Sequence, residues 1–169
     1  MLKQVLLLTV MVLLLAACET ELMQSVEESG GNIRGETAQV VRVIDGDTID
    51  VNLNGETVRV RYVGVNTPER DEPCYSEATA ANRRMVDGQT VTLVRDSSNT
   101  DRYDRLLRFI YVGDTFVNRE LVAQGYAEAV LYEPDNGFHD TFVQLERTAT
   151  RDGLGCHPTG IFDDNSTTR

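Results

Sequence analysis

An alternating stretch on either side of an Asn-Gly pair most constrains how this chain folds. Apolar and polar side chains alternate from Thr48 to Leu53, and alternation resumes from Val58 to Arg61. A period of two is typical of strands that bury one face. Asn54-Gly55 lies between the two runs and favours a two-residue turn, because both residue types adopt positive φ readily. The sequence therefore predicts an antiparallel β-hairpin.

Further elements are predicted on both sides of this hairpin. The other predicted strands are residues 39–44, 91–94 and 107–112. The predicted helices are residues 76–86, with Ser76 as the N-cap, 117–124 and 138–152. Five short strands with one helix between the third and the fourth suit a small closed barrel packed against helices. The predicted fold class is α+β, a five-stranded OB-like β-barrel with three helices.

The N-terminus resembles the leader of a bacterial lipoprotein. Lys3 precedes an apolar run from Val5 to Leu15 that is short for a membrane span, and small residues then lead to Cys18. Residues 1–17 are therefore predicted to be a lipoprotein signal peptide, and residues 18–37 an acylated N-terminus and flexible tether. The protein would be anchored to the cell membrane or envelope by lipid on Cys18, facing outside the cytoplasm. The alternative is an ordinary secretory leader with an incidental cysteine.

The remaining two cysteines fit an exported protein. With Cys18 acylated, Cys74 and Cys156 form an even pair in an oxidising compartment, which favours a disulfide over two free thiols. The predicted folded domain spans residues 38–155, and residues 156–169 are predicted to be a polar C-terminal tail. The domain is expected to be a monomer.

The charge balance restricts how this chain could bind a nucleic acid. Asp and Glu number 27 against 16 Lys and Arg, and the formal net charge is −11. Lys3, the single lysine, lies in the predicted leader, so the mature protein would carry arginine alone. A strongly acidic surface repels polyanions at long range. Any affinity for nucleic acid must therefore come from a local cluster of arginines.

Three motifs carry the groups that such a cluster would need. They are Asp45-Gly46-Asp47-Thr48, Arg61 with Asn66-Thr67-Pro68-Glu69, and Asp101-Arg102-Tyr103-Asp104-Arg105. Taken singly, they read as a solvated turn, a surface arginine before a strand end, and a loop with local ion pairs. Together they supply oxygen ligands for a hard cation, guanidinium forks for a phosphate, and a glutamate able to activate water. These are the parts needed to hydrolyse a phosphodiester.

In this order, the motifs resemble the staphylococcal nuclease (thermonuclease) family over roughly residues 38–155. The segment Val117–Val122 with Gly125 also resembles a helix of that family. The resemblance implies an OB barrel of five strands with three helices. It also implies Ca²⁺-dependent cleavage of DNA and RNA.

The resemblance further implies roles for individual residues. The implied Ca²⁺ ligands are Asp47, Asn66 and, through its backbone carbonyl, Thr67, with Asp45 in support. Glu69 would be the general base, and Arg61 and Arg105 would hold the scissile phosphate. Tyr103 and Tyr132 would contact the nucleotide.

The chain departs from the best-known members of the family at several points. Asn66 stands where they have an aspartate, the loop from Arg70 to Tyr75 is shorter, and Asp104 replaces a glycine. Two other functions remain open: a catalytically silent OB-type module that binds nucleic acid or protein, and a structural lipoprotein of the envelope. Retention of Asp47, Arg61, Glu69 and Arg105 together favours the enzyme.

Overall fold

The computed structural model describes residues 33–163. The predicted signal peptide, Cys18 and most of the predicted tether lie outside the described residues, as do residues 164–169. Within residues 33–163, no helix is both long and apolar enough to cross a membrane.

Eight strands and three α-helices make up the described domain. The long strands are β1 (Glu36–Val43), β2 (Thr48–Leu53), β3 (Glu56–Tyr62), β5 (Thr90–Val94) and β6 (Leu106–Val112). The two-residue strands are β4 (Val65–Asn66), β7 (Thr115–Phe116) and β8 (Glu128–Ala129). The helices are α1 (Tyr75–Val86), α2 (Val117–Ala123) and α3 (His139–Arg151), followed by a 3₁₀ helix, His157–Thr159.

The five long strands close into a barrel. Their order is β3-β2-β1-β5-β6, and β6 also pairs with β3 in parallel, which joins the two edges of the sheet. The predicted hairpin is confirmed: Leu53 faces Glu56 across a turn in which Asn54 and Gly55 have φ of 55° and 92°. The predicted α+β fold with an OB-like barrel and three helices is likewise confirmed.

The core lies inside the barrel and beneath the helices. Ile49 and Val51 on β2 and Val60 on β3 are fully buried, as the alternation predicts. Arg59 and Arg61, on either side of Val60, lie on the outer face of β3. Phe142 from α3 is also fully buried and packs near Phe116 and Phe138. This arrangement leaves the outer face of β1, β2 and β3 available for polar side chains.

The start of α1 differs from the sequence prediction. Ser76 is not the N-cap: the helix begins at Tyr75, and Cys74 occupies the cap position with φ of 70°. Cys74 forms a disulfide with Cys156, with the two Cα atoms 5.6 Å apart. The bridge therefore ties the chain after Glu69 to the segment that follows α3. Pairing of Glu36 with Leu93 and the 3₁₀ helix after Cys156 extend the folded unit beyond residues 38–155 at both ends.

Candidate active site

A cavity of about 640 Å³ at one end of the barrel brings most of the predicted site residues together. Its walls include predicted residues from all three motifs, Asp45, Asp47, Arg61, Asn66, Glu69, Tyr103 and Arg105, together with Tyr132, which lies outside the motifs. Thr67 is not part of the wall, but it contacts Asp47 directly. Thr48, Asp101 and Arg102 also line the cavity and were not predicted as site residues.

The parallel pairing of β3 and β6 explains why distant motifs meet. Arg61 on β3 lies opposite Leu107 on β6, so the loop that leads into β6 is placed beside the end of β3. The same end of β3 lies opposite Thr48 at the start of β2. The turn with Asp45 and Asp47, the Arg61 side chain and the loop of Arg105 therefore surround one space.

The Asp47 carboxylate has four polar contacts in the cavity wall. Its Oδ2 accepts hydrogen bonds from the Thr67 backbone N–H at 2.9 Å and the Thr67 hydroxyl at 3.0 Å. Its Oδ1 accepts from the Thr48 hydroxyl at 3.0 Å and lies 3.1 Å from Nε of Arg61. Gly46 permits this close approach, because a Cβ there would lie 2.6 Å from Oγ1 of Thr67. Two separate loops are thus locked together through one carboxylate.

Asp45 places a second carboxylate beside Asp47. Burial, followed by the charge of Asp47, raises the pKa of Asp45 to about 6 from its ordinary value of 3.8. The backbone of Asp45 is fixed from below, because Asn82 on α1 donates to its carbonyl at 2.9 Å. Two neighbouring carboxylates favour the binding of a cation, because both attract it.

Arg61 uses its guanidinium on the protein itself. Besides Asp47, it donates to the Val65 carbonyl at 2.8 Å and to Oδ1 of Asn66 at 3.1 Å, and it also contacts the Tyr62 carbonyl. Its side chain is only 14% exposed. Arg61 therefore stabilises the cavity wall through these contacts. An anion bound in the cavity would interact with the same guanidinium as Asp47.

Arg105 is held more loosely and reaches further into the open. Its Nε donates to Oδ2 of Asp101 at 2.6 Å, and its side chain is 29% exposed. Burial alone would raise the pKa of Asp101, but bonds from the Arg105 side chain and from the backbone N–H groups of Arg105 and Tyr103 outweigh it, so the pKa is lowered. The sequence left two alternatives for this motif, a loop with local ion pairs or part of a functional site. The structure shows that Arg105 both pairs with Asp101 and lines the cavity. The four-residue spacing between Asp101 and Arg105 is the feature of the sequence that could have identified Asp101.

A buried aspartate ties this loop to the loop of Tyr132. Asp135 accepts hydrogen bonds from the backbone N–H groups of Ser97 and Ser98 at 2.8 and 2.7 Å. Ser97 and Ser98 precede the Asp101–Arg105 loop, and Tyr132 forms an isolated bridge with Asp135. Asp135 therefore holds two walls of the cavity in register. Nothing in the local sequence distinguished it from other loop acids.

Glu69 lies at the exposed rim of the cavity. Its backbone is held in a tight turn: the Glu69 N–H donates to Oε2 of Glu72 at 2.7 Å, and the Glu72 N–H donates to the Glu69 carbonyl at 2.9 Å. Glu69 is exposed and lines the same cavity as Arg61 and Arg105. Such a carboxylate is able to accept a proton from water.

The donor set suits a hard cation better than a transition metal. Among residues 33–163, no group of three or more His, Cys, Asp or Glu side chains is placed to hold a metal ion. The predicted set combines the carboxylate of Asp47, the amide of Asn66 and the carbonyl of Thr67, with Asp45 nearby. Oxygen ligands of mixed type are those that Ca²⁺ takes. The residues present therefore fit calcium by their chemistry.

Comparison with known proteins gives concordant matches. The family model described as staphylococcal nuclease homologue matches residues 59–156. The thermonuclease of Staphylococcus hyicus is 31% identical over 156 residues, covering 85% of this chain and 92% of that protein. The thermonuclease of Staphylococcus intermedius is 34% identical over 134 residues, covering 76% and 80%. Endonuclease YncB of Bacillus subtilis (strain 168) is 39% identical over 121 residues, covering 67% of this chain and 57% of that protein.

Proposed function

This chain belongs to the staphylococcal nuclease family, and we propose that it is a calcium-dependent nuclease that hydrolyses phosphodiester bonds of DNA, RNA or both. One observation carries the proposal: Asp47, Glu69, Arg61 and Arg105 line a single cavity although they come from three separate segments. A barrel that only binds nucleic acid has no need of this combination.

The two arginines provide the charge that phosphoryl transfer requires. A phosphodiester is anionic, so attack by water is slow unless that charge is neutralised and the reacting atoms are aligned. Arg105, tethered through one edge to Asp101, would hold the phosphate from the open side, and Arg61 from the cavity wall. Donors that are fixed before the reaction, as these are, stabilise the transition state without having to reorganise.

Glu69 would act on the nucleophile. Its carboxylate would accept a proton from the attacking water as the new P–O bond forms and the bond to the leaving oxygen breaks. Ca²⁺ held by Asp47, Asn66 and Thr67, supported by Asp45, would supply further positive charge at the phosphate. Asp47 is ordered for this by Thr48 and Thr67.

We also propose that the enzyme works outside the cytoplasm, attached by lipid on Cys18. The support is the leader-like N-terminal sequence and the disulfide between Cys74 and Cys156, since disulfides persist in oxidising compartments. Free calcium in such compartments also suits sites of modest affinity. Mass spectrometry of the membrane fraction tests the anchor: a lipid-modified N-terminus at Cys18 is expected, and an unmodified one would refute it.

Digestion of plasmid DNA and of RNA by the purified protein tests the activity. Cleavage is expected with Ca²⁺ and should stop on addition of a chelator and return with excess Ca²⁺. Glu69→Gln is expected to lower turnover by roughly 10²–10⁴-fold. The matched control is Glu56→Gln, an exposed glutamate on β3 outside the cavity wall. Binding without cleavage under all metal conditions would instead identify a silent nucleic-acid-binding module.

A further inference from the structure

A second groove adjoins the active-site cavity on the outer face of the barrel. It has a volume of about 510 Å³ and is lined by Asp50, Thr57, Arg59, Tyr103 and Arg105. Tyr103 and Arg105 also line the active-site cavity, so the two spaces meet at these side chains. A ligand that leaves the active site past Tyr103 would enter this groove.

A row of charges crosses three strands at the groove, and two of its members, Asp50 and Arg59, line the groove. Arg42 on β1 and Arg59 on β3 are both register partners of Asp50 on β2. Oδ1 of Asp50 accepts from Nε of Arg59 at 2.8 Å, and Oδ2 accepts from Nη2 of Arg42 at 2.6 Å. The bond from Arg59 is the largest of the effects that lower the pKa of Asp50, so the carboxyl is ionised at neutral pH. One aspartate between two arginines leaves a net positive charge on this face.

Asp50 orders the arginines without enclosing them. Arg59 uses Nε and Nη2 on the aspartate, and its side chain is still 45% exposed. A planar guanidinium held along one edge presents its other donors to solvent in a fixed direction, which suits a phosphate oxygen. Because Asp50 already orders the Arg59 side chain in the free protein, less conformational entropy is lost when a phosphate binds.

The spacing along β3 matches a polynucleotide. Thr57, Arg59 and Arg61 alternate with inward-facing residues and therefore share one face of the strand. Two residues along a strand advance about 6–7 Å. Neighbouring phosphates of an extended single strand are separated by a comparable distance. With one phosphate at Arg61, the next along the strand would lie near Arg59.

Tyr103, which the family resemblance already implies as a nucleotide contact, lines both the groove and the cavity. Tyr103 is 64% exposed, and the guanidinium carbons of Arg102 and Arg105 lie 4.7 and 5.5 Å from the centre of its ring. Exposed aromatic rings flanked by arginines bind single-stranded nucleic acids by stacking, with little preference among bases.

We propose that this groove is a second phosphate site, in which Arg59 binds the phosphate adjacent to the one at the cleaved bond. The proposal rests on the proposed nuclease function and adds a phosphate contact outside the active-site cavity, so that strands longer than a single phosphodiester are the better substrates. It also gives an acidic protein a local means of capturing substrate, because Arg59 extends the set of arginines in the cavity onto the outer face of β3.

Two measurements on Arg59→Ala test the groove. In a Glu69→Gln background with chelator, the affinity for a single-stranded oligonucleotide is measured by anisotropy at several salt concentrations. Loss of one phosphate contact should lower the slope of log affinity against log salt by about 0.7. In the active enzyme, the ratio of kcat/KM for a longer strand to that for a reporter with one phosphodiester should fall by roughly three- to tenfold.

Arg119→Ala is the matched control, because Arg119 is similarly exposed at 52% and paired to a carboxylate, but lies on α2 away from both spaces. Arg59→Lys should keep the slope, since the positive charge remains. Asp50 retains Arg42 as a partner in both variants, so the fold should persist. Equal slopes and equal ratios for Arg59→Ala and Arg119→Ala would overturn the groove. Failure of the native enzyme to cleave any substrate would instead overturn the proposed function.

Discussion

Asn66 donates a 2.9 Å hydrogen bond from Nδ2 to Oε1 of the buried Glu128, its register partner across β4 and β8. On the other side of the amide, Oδ1 accepts from Arg61 at 3.1 Å. A carboxylate only accepts and a guanidinium only donates, so one amide orientation satisfies both partners. Asn66 therefore presents its oxygen, the atom that would bind calcium, toward Arg61 and the cavity.

This contact changes what is expected of Asn66→Asp. By ligand charge alone, the substitution should tighten Ca²⁺ binding. In the structure, however, the new carboxylate would face that of Glu128 in a buried position. The single variant should therefore lose roughly 1–3 kcal/mol of unfolding free energy in metal-free buffer. Asn66→Asp with Glu128→Gln exchanges amide and carboxylate, restores the hydrogen bond and moves the negative charge to the cavity.

Denaturant unfolding and calorimetric Ca²⁺ titration of the native protein, both single variants and the double variant test this pair. The double variant should recover most of the lost stability and bind Ca²⁺ more tightly than the native protein. If Asn66→Asp alone is as stable as the native protein, the two side chains are not coupled. If the double variant binds Ca²⁺ no better, Asn66 is not a ligand.

The hairpin and the helices could be predicted because their signals are local. Asn54-Gly55 specifies its own turn, and the spacing of Phe138, Phe142 and Leu145 predicts a helix within a residue of α3 at each end. Glu128 carries no such signal, since its importance depends on the pairing of two short strands 62 residues apart. Periodicity reports which face of an element is buried but does not identify the partner across a closed barrel.

The charge row of the outer face shows the same limit. Alternation correctly predicts that Arg59 and Arg61 face away from the core, as isolated surface arginines also would. Only the registers β1–β2 and β2–β3 show that Arg59 meets Asp50 while Arg61 meets the cavity. The order of the motifs along the chain was enough to predict the candidate residues. The different roles of these residues depend on contacts between distant segments, which the sequence does not show.

Arg61 and Arg105 should differ in stability although both should be needed for turnover. Either substitution to Ala should reduce kcat by roughly 10²–10³-fold by removing a phosphate donor. Arg61→Ala also removes a donor from the Val65 carbonyl and the ion pair from the buried Asp47. Because Asp47 keeps its bonds from Thr48 and Thr67, the expected cost is about 2–3 kcal/mol of unfolding free energy. Arg105→Ala should cost about 1 kcal/mol or less, because Asp101 keeps its bonds from two backbone N–H groups.

Parallel denaturation curves and single-turnover rates separate these effects, with Arg119→Ala as the reference for an exposed ion pair. Comparable stability of the two variants would show that the contacts of Arg61 contribute little to the folded state. Native-like turnover in the Arg105 variant would remove Arg105 from the site.

Asp45 should give the metal-free protein a specific dependence on pH. Because burial and Asp47 raise its folded pKa to about 6, the folded protein holds this proton more tightly than the unfolded chain, where the value is near 3.8. The resulting stability is fully present below the unfolded value and is lost as pH rises through about 6. Asp45→Asn has no carboxyl to ionise, so its unfolding free energy relative to that of the native protein should increase as the pH rises from about 4 to above 6. An advantage that does not vary with pH would contradict the raised pKa.

The disulfide should support the fold more than the chemistry. Cys74 and Cys156 are 82 residues apart, and closing a loop of this length stabilises by about 4–5 kcal/mol in the chain-entropy model. The turn that presents Glu69 is held separately by Glu72, which contacts it through both backbone and side chain. Cys74→Ser with Cys156→Ser should therefore unfold at markedly lower denaturant while keeping kcat within a few-fold of native, when assayed well below its melting temperature. Reduction of the native protein should reproduce the shift, and reductant should leave the double variant unchanged. A large loss of kcat in a fully folded double variant would show that the bridge also positions Glu69.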